Sequence, residues 1–136
     1  GFKRINDTLG HHAGDRVLAT VAQRLRDGIR KVDTAARLGG DEFLVVLDRL
    51  GSADDAKTVA AKLIESVGAP IDIEGSAYQI GVSIGISLFP DDSQQASDLV
   101  RLADAAMYAV KRSGKNACLT ASDIAKVGIA GKESAI

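Results

Sequence analysis

The amino-acid sequence predicts an α/β protein of the α+β sandwich type, in which helices flank a mixed central β-sheet. Segments with helical spacing of apolar residues alternate along the chain with pairs of short apolar segments joined by turns that contain glycine. The chain has 136 residues, of which 46% are hydrophobic and 26% charged, so it can form one domain with a single core. We predict this domain over residues 1–120 and a loosely ordered C-terminal tail over residues 121–136, where the pattern dissolves.

The first half of the chain has the pattern of two helices followed by a β-hairpin. Gly39 and Gly40 lie between the two hairpin arms, and glycine tolerates the positive φ angles of a tight turn. The second arm is apolar throughout, which is typical of a strand covered on both faces. In chain order we predict a helix over residues 2–9, a loop over 10–14, a helix over 15–29, and strands over 34–38 and 43–47.

The second half repeats the pattern of helix and hairpin. The second arm of its hairpin alternates strictly, with glycine and serine on one face, and such a face lets a helix or a ligand approach the backbone closely. In chain order we predict a helix over residues 54–67, a hairpin with arms 70–73 and 78–88, a helix over 97–113 and a strand over 117–120.

Charge and composition exclude several classes of function. The formal net charge is −1, so no overall positive field attracts DNA or RNA, and aromatic residues make up only 4% of the chain, too few for a platform that stacks bases. Cys118 is the single cysteine, which fits a reducing compartment. The sequence has neither an apolar run of the ~20 residues that span a bilayer nor a recognisable secretory signal. It begins at Gly1 without a methionine, and we expect it to be a piece of a longer protein.

The tip of the first hairpin carries two adjacent acids, Asp41 and Glu42, directly after Gly39 and Gly40. Adjacent residues on a strand point to opposite faces, so a single carboxylate, that of Asp41 at the turn, is the one placed to meet a hard cation such as Mg²⁺. Bare backbone N–H groups at the glycines suit phosphate oxygens. A solvated turn is the alternative, and taken alone this segment favours it.

Polar residues also surround the corner between the first two helices: Lys3, Asn6, His11 and Asp15. The amide of an asparagine both donates and accepts, and a carboxylate accepts twice, so together they could match the edge of a guanine base. Ordinary helix capping by Asn6 and Asp15 is the alternative, and the segment in isolation favours capping.

Two further pairs have spacings that fit anion or base binding. Arg30 and Asp33 are three residues apart, and together they could clamp a guanine and a phosphate of another nucleotide. Lys111 and Lys115 lie at the end of the last predicted helix, where they could hold terminal phosphates. A basic helix terminus followed by a turn is the alternative for both pairs. No zinc-ligand spacing, phosphate-binding loop or nucleophile motif occurs.

Four segments, in this order, resemble the GGDEF domain, the diguanylate cyclase module of bacterial signalling. They are "FKRINDTLGHHAGD", "RLGGDEF", "SIGIS" and "ADAAMYAVKRSGKN". The resemblance extends from Phe2 to about Leu119, and several linked motifs at the right separations make it specific.

The resemblance implies a fold like that of nucleotide cyclases and polymerase palms, and a nucleotidyltransferase reaction. Two GTP molecules would be joined into the second messenger cyclic di-GMP, with release of pyrophosphate. Each subunit of a homodimer would present one GTP, and Mg²⁺ or Mn²⁺ would be the cofactor. The resemblance also implies a cytoplasmic enzyme whose parent chain, free or anchored in a membrane, carries an upstream sensor or receiver domain.

The resemblance assigns a role to each candidate residue. Asp41 would bind the metal and take part in deprotonating the 3′-hydroxyl, with Glu42 in support and Lys3 stabilising phosphate charge. Asn6 and Asp15 would bind the guanine with His11 nearby, and Gly39 and Gly40 would face the triphosphate. Lys111 and Lys115 would reach the β- and γ-phosphates, while Arg30 and Asp33 would form the RxxD site at which cyclic di-GMP inhibits the enzyme.

The sequence departs from the family pattern at two places. In the family, a central strand with a DxD-type segment precedes the position of Phe2 and supplies the first metal-binding Asp, so we expect this chain alone to be inactive and to expose two strand edges. Lys115 stands where many members have Arg, which replaces a bidentate phosphate contact with a point charge. The alternatives are therefore a module that only senses GTP or cyclic di-GMP, and a dimerising regulatory piece without a ligand.

Overall fold

A computed structural model describes residues 2–127, and helices alternate with strands along them, as predicted. The helices are α1 (Phe2–Leu9), α2 (His11–Asp27), α3 (Ala53–Val67), α4 (Ala96–Arg112) and α5 (Ala121–Val127). The strands are β1 (Thr34–Gly39), β2 (Glu42–Val46), β3 (Ile71–Ile73), β4 (Ser76–Tyr78), β5 (Ser83–Ile86) and β6 (Ala117–Thr120). Among these described residues, no helix combines the length and the apolarity needed to cross a membrane.

The strands form three pairs. β1 and β2 pair antiparallel, β3 and β4 pair antiparallel, and β5 and β6 pair parallel. The mixed character of the predicted sheet is therefore confirmed, although the described residues arrange the strands in three two-stranded sheets and not in one continuous sheet.

The core lies where α1, α2 and α3 meet the strands. The apolar stripe of α2 is buried, as its spacing predicts, and side chains of α3, β3 and the segment after β4 pack against it. The buried members of this core are Ile5, Ala13, Val17, Val21, Leu25, Leu63, Val67, Ile71, Ile73, Ile80 and Val82.

Helix α4 covers the face of β5 that carries glycine and serine. A Cβ atom on Gly85 would overlap the carbonyl oxygen of Ala103 and the backbone nitrogen of Met107. One residue pair further along, the Ser87 hydroxyl donates to the Leu99 carbonyl oxygen at 2.6 Å. The glycine and serine face thus lets a helix approach the strand closely. A helix and a ligand were the two partners expected for this face.

The predicted loop over residues 10–14 is wrong, because α2 begins at His11 and includes all but Gly10. Gly10 has φ 89° and separates the two helices. Gly14 lies inside α2, where a Cβ atom would overlap the amide oxygen of Asn6. Gly14 is therefore explained by the packing of α2 on α1, which residue spacing within one helix does not reveal.

The long second arm of the second hairpin is divided into two strands. The turn at Glu74 and Gly75 has φ 53° and 82° as a tight hairpin requires, but β4 ends at Tyr78 and β5 begins at Ser83. The backbone N–H of Val82 donates to a side-chain oxygen, Asn116 Oδ1, at 3.3 Å and not to a neighbouring strand. Among the alternating apolar positions of residues 78–88, Ile80 and Val82 are buried and the others half-buried, and the alternation did not indicate a continuous strand.

Two further expectations differ from the structure. Strand β2, predicted to be covered on both faces, is only half-buried, and Val46 is 52% exposed, because β1 is its one strand neighbour among the described residues. The first part of the predicted tail forms α5, and Thr120 and Asp123 cap it reciprocally: each backbone N–H donates to the other's side-chain oxygen at 3.0–3.1 Å. The rest of the predicted tail lies outside the described residues.

Candidate functional site

The tip of the β1–β2 hairpin is an acidic turn built on two glycines. Gly39 and Gly40 have φ 151° and 50°, and a Cβ atom built on either would meet nothing within 4 Å. Glycine is therefore favoured at these two positions by the positive φ angle, and not by a lack of room for a side chain. The side chains of Asp41 and Glu42, which follow the turn, are half-buried.

Arg37 fixes the shape of this turn. Its Nε donates to the Gly40 carbonyl oxygen at 2.8 Å. The strand register shifts between Arg37 and Gly39, so Leu38 has no partner across the hairpin and its side chain is 55% exposed. The bulge leaves Arg37 on the side where the hairpin faces α2, as the cavity described below shows.

The corner between α1 and α2 packs the side chain of Asn6 against the first turn of α2. The N–H of Gly10 donates to the Asn6 carbonyl oxygen at 2.9 Å, and the amide group of Asn6 lies against Gly14, the residue before Asp15. Asn6 is half-buried and Asp15 is exposed. His11 and Lys3 are also exposed on these two helices.

A cavity of about 480 Å³ lies between α2 and the β1–β2 hairpin, and Asp15 is the one predicted site residue in its lining. Its walls come from α2 on one side and from β1 and β2 on the other, with Asp15, Arg26 and Arg37 as its charged members. The complete lining is Asp15, Leu18, Ala19, Ala22, Arg26, Ala35, Ala36, Arg37 and Phe43. A carboxylate that accepts hydrogen bonds and two guanidinium groups that donate them therefore surround a space that can hold a small polar ligand.

Sequence reasoning named Asp15 but missed the two arginines of this cavity. Arg37 could have been found from its position directly before the glycine turn. Arg26 carries no comparable signal, because on the sequence it belongs to the solvated face of α2.

The phenol of Tyr108 on α4 lies within the range of acidic side chains. Burial first, and then the negative charges of Asp104 and Glu42, raise the pKa of the Tyr108 phenol on α4. The negative charge of Glu42 therefore acts on the phenol of Tyr108. Sequence reasoning gave Tyr108 no role.

Lys111 and Lys115 differ in burial, and neither of them lines the cavity that contains Asp15. Lys111 is 6% exposed in the last turn of α4, where its side chain is engaged in contacts. Lys115 is exposed in the loop that follows α4, in which Gly114, Lys115 and Asn116 all have positive φ. Lys115 lines a second cavity of about 430 Å³ with Asn116, Gly81 and Gln79, separate from the cavity of Asp15.

Arg30 and Asp33 bind each other at the base of the hairpin. Both Nε and Nη2 of Arg30 donate to the Asp33 carboxylate at 3.0 Å, and Nη2 also donates to the Asp48 carbonyl oxygen. The side-chain hydrogen bond from Arg30 is the main cause that lowers the pKa of Asp33 to about 2. The six residues of β1 separate this pair from the acidic tip, a distance of about 20 Å at ~3.3 Å per residue.

The residues present at the tip fit a Mg²⁺ ion in part. Within residues 2–127, no three His, Cys, Asp or Glu side chains come together as a metal site. Mg²⁺ in nucleotide sites keeps several waters and takes one or two carboxylates together with substrate phosphates, so the half-buried carboxylate of Asp41 fits one such position.

Fold and site together define an α/β domain in which the strand leading to an acidic Gly-Gly hairpin tip and helix α2 line a cavity with one carboxylate and two guanidinium groups. Residues 1–117 match the family model described as "Diguanylate cyclase, GGDEF domain", and the chain belongs to this family. Its fold is the GGDEF fold, as the solved structures below also show.

Three comparisons illustrate the similarity. The bifunctional diguanylate cyclase/cyclic di-GMP phosphodiesterase MucR of Pseudomonas aeruginosa is 47% identical over 116 residues, which are 85% of this chain and 17% of MucR. The GGDEF domain of TpbB from the same organism has a TM-score of 0.87 and 42% identity, with 94% of this chain and 76% of that chain covered. The GGDEF domain of DgcB from Caulobacter crescentus, solved in complex with c-di-GMP, has a TM-score of 0.76 and 31% identity, with 89% and 72% covered. The chain thus spans less than a fifth of MucR.

Proposed function

We propose that this chain is the catalytic module of a diguanylate cyclase, which condenses two GTP molecules into cyclic di-GMP. Each 3′-hydroxyl attacks the α-phosphate of the other nucleotide, two phosphodiester bonds form, and two pyrophosphates leave. The observation that carries this proposal is the cavity that Asp15 and Arg37 share, because Arg37 also holds the turn before Asp41. The names of the relatives support the choice of reaction.

Asn6 and Asp15 bind the guanine base in this proposal, with His11 beside them. Guanine donates from N1–H and from its 2-amino group and accepts at O6. A carboxylate accepts both donors, and an asparagine amide can donate to O6. The packing of the Asn6 amide against Gly14, the residue before Asp15 in the sequence, supports the pairing.

In this proposal the hairpin tip and three lysines bind the triphosphate and its divalent cation. Asp41 is the carboxylate for the divalent cation, Mg²⁺ or Mn²⁺, which when bound neutralises phosphate charge and activates the attacking hydroxyl. Glu42 supports it from the α4 side, and the backbone of Gly39 and Gly40 offers N–H groups to phosphate oxygens. Lys3 stabilises charge that develops on the α-phosphate, and Lys111 and Lys115 approach the β- and γ-phosphates.

The active unit is a homodimer, because each subunit supplies one nucleotide and the two nucleotides must face each other. Product cyclic di-GMP binds at Arg30 and Asp33 and restrains the enzyme. The parent protein carries an upstream sensor or receiver domain and works in the cytoplasm, where GTP is available. The solved complex of the DgcB domain with c-di-GMP supports the choice of ligand.

The decisive experiment follows product formation from GTP and MgCl₂ by chromatography. We expect the 136-residue chain alone to form little cyclic di-GMP, and a version extended at its amino terminus by a strand with a DxD segment to form it readily. Asp41→Asn in the extended version should remove product. Glu74→Gln is the matched control, since Glu74 is an exposed acid on the other tight hairpin turn. A folded extended protein that forms no cyclic dinucleotide would contradict the proposal.

The second candidate function is a module that binds cyclic di-GMP without making it. It is favoured by the Arg30–Asp33 pair, which is completely formed within the described residues, whereas three metal-binding side chains do not come together there. Calorimetry with cyclic di-GMP on the wild type and on Arg30→Ala tests it. Equal affinity of both proteins would remove the site, while binding without turnover in the extended version would favour this candidate.

A further inference from the structure

Three consecutive residues between α4 and β6 have left-handed backbone conformations. Gly114, Lys115 and Asn116 have φ 121°, 67° and 54°. Glycine takes such angles freely, whereas a residue with a Cβ atom does so at a cost, which asparagine tolerates better than lysine. Two adjacent side-chain-bearing residues in this conformation need support from the surrounding structure, and strained positions of this kind cluster at functional sites.

The side chain of Asn116 supplies this support from the side of β5. Its Oδ1 accepts from the backbone N–H of Val82 at 3.3 Å, and its Cβ would lie 3.7 Å from a Cβ atom on Gly81. Val82 is buried and directly precedes the first β5–β6 pair, Ser83 with Ala117. The asparagine oxygen therefore takes the place of a strand carbonyl one residue before the ladder begins, and its loss would deprive a buried N–H of this partner.

The end of α4 holds the same loop from its other side. The N–H of Lys115 donates to the Val110 carbonyl oxygen at 3.0 Å. Lys115 is thus fixed at its own N–H and through the residue that follows it, while its side chain is exposed and lines the cavity of about 430 Å³ together with Asn116. Glu65 is the acid of the same lining, so a lysine whose backbone were not held would be free to pair with this carboxylate in place of an anionic ligand.

We propose that Asn116 is a positioning residue, whose bond to Val82 directs the ammonium group of Lys115 to the terminal phosphates of the nucleotide. This inference rests on the proposed function, which assigns Lys115 to the β- and γ-phosphates, and it adds a residue to that site. A guanidinium group fixes its own orientation by binding phosphate through two bonds, whereas an ammonium group is a point charge on a flexible stem. The direction of the Lys115 backbone therefore decides how well the charge is placed.

Guanine nucleotides with different numbers of phosphates separate the placement of Lys115 from a general weakening of the fold. Calorimetry on the extended protein in MgCl₂ gives the affinities for 3′-deoxy-GTP and 3′-deoxy-GMP, which lack the attacking hydroxyl and are not consumed. The ratio of the two affinities measures what the β- and γ-phosphates add to binding. Lys115→Ala should lower this ratio about tenfold, as expected for the loss of one hydrogen bond from a charged group.

Asn116→Gly tests the hydrogen bond separately from the backbone conformation, because glycine keeps the left-handed φ without strain but cannot accept from Val82. We expect this variant to lower the ratio about threefold or more, to leave the affinity for 3′-deoxy-GMP within about twofold, and to have no further effect in a Lys115→Ala background. Gln79→Ala is the matched control, since it removes another exposed amide of the same cavity and should leave the ratio unchanged.

A second measurement needs no nucleotide. Exchange of the Val82 amide hydrogen should be about tenfold faster or more in Asn116→Gly than in the wild type, because this N–H has lost its acceptor. Asn116→Asp keeps a side-chain acceptor and should restore slow exchange.

An unchanged ratio in Asn116→Gly, or an equal loss of affinity for both nucleotides, would overturn the proposal. The first result would mean that Lys115 needs no support from Asn116, and the second that Asn116 stabilises the fold alone. An effect on the ratio that persists in the Lys115→Ala background, or unchanged exchange at Val82, would also overturn it. If Lys115→Ala leaves the ratio unchanged, or neither nucleotide binds, the assignment of Lys115 fails together with this inference, while GTP turnover in the extended protein still decides the catalytic proposal separately.

Discussion

The Nε of Arg37 donates a hydrogen bond to the carbonyl oxygen of Gly40 at 2.8 Å, and so ties the end of β1 to the turn that precedes Asp41. The same side chain lines the cavity that contains Asp15. Arg37 therefore connects the acidic tip with the helical corner, two features that are more than twenty residues apart along the chain.

Replacing Arg37 by Ala should lower product formation in the extended protein about tenfold while leaving stability within about 0.5 kcal/mol, because the side chain is exposed and packs little. The physical reason is the loss of the bond that holds the turn at Gly40, together with a cationic group of the cavity. Urea unfolding and GTP turnover on the same samples measure both effects. Arg16→Ala, an exposed arginine of α2 outside the cavity lining, is the control. Unchanged turnover in Arg37→Ala would show that the turn keeps its shape without this bond.

Gly85→Ala should destabilise the domain by about 3 kcal/mol or more, because its Cβ atom would overlap the backbone of α4 at Ala103 and Met107. Gly81→Ala is a matched control on the same segment, since its Cβ atom would meet Asn116 at 3.7 Å, an ordinary contact. We expect Gly81→Ala to change the free energy of unfolding by less than about 1 kcal/mol. Similar denaturation midpoints for the two variants would mean that α4 does not approach β5 so closely.

Arg24 caps the end of α3, and Arg24→Ala should cost about 2 kcal/mol. Its Nη1 donates to the carbonyl oxygens of Val67 and Ala69 at 3.1 and 2.6 Å, and Nη2 donates to that of Pro70 at 2.9 Å. These carbonyls at and beyond the end of a helix would lose a cationic donor. Chemical denaturation of Arg24→Ala and Arg24→Lys measures the effect, and we expect lysine to restore part of it. A loss no larger than that of Arg16→Ala would argue against the cap.

Asp15→Asn should change the base preference of the site. The asparagine can no longer accept both N1–H and the 2-amino group of guanine, but its own NH₂ can donate to the 2-oxo group of xanthine. We expect the affinity for GTP to fall at least tenfold and the affinity for XTP to rise. Binding of both nucleotides to this variant and to Asp7→Asn, an exposed acid on α1, is the comparison. Parallel changes for GTP and XTP would remove Asp15 from base recognition.

The Arg30–Asp33 pair should contribute stability that depends on pH. The hydrogen bond from Arg30 lowers the pKa of Asp33 to about 2 from an ordinary value of 3.8. A carboxyl whose pKa is lower in the folded state stabilises the fold above its unfolded pKa, and this contribution is lost as the pH falls through the folded pKa. The difference in free energy of unfolding between the wild type and Asp33→Asn should therefore be constant above about pH 4 and shrink towards pH 2.

The comparison removes the parallel effect of Asp123, whose pKa is also lowered, by backbone hydrogen bonding at Thr120. A difference that does not vary with pH would refute the assignment.

Local patterns in the sequence located most of the secondary structure. The apolar stripes of α2, α3 and α4 are predicted within a few residues, because each stripe is a property of one helix alone. The glycine turn at Gly39 and Gly40 is predicted for a similar reason, since positive φ is a local demand. The start of α2 was misplaced because Gly14 is explained by its neighbour Asn6 on another helix.

The amino-acid sequence by itself determined the element types, the turn that carries Asp41 and the family to which the chain belongs. The signals for these features are residue spacing, glycine positions and linked motifs, which can be read from the sequence without the tertiary structure. Only the tertiary structure decided that Asp15 shares a cavity with Arg37, and that the Asp33 carboxylate is consumed by Arg30 and Asp48. Hydrogen bonds and cavities of this kind join segments that are distant in sequence, and their partners are chosen by packing, which no local pattern encodes.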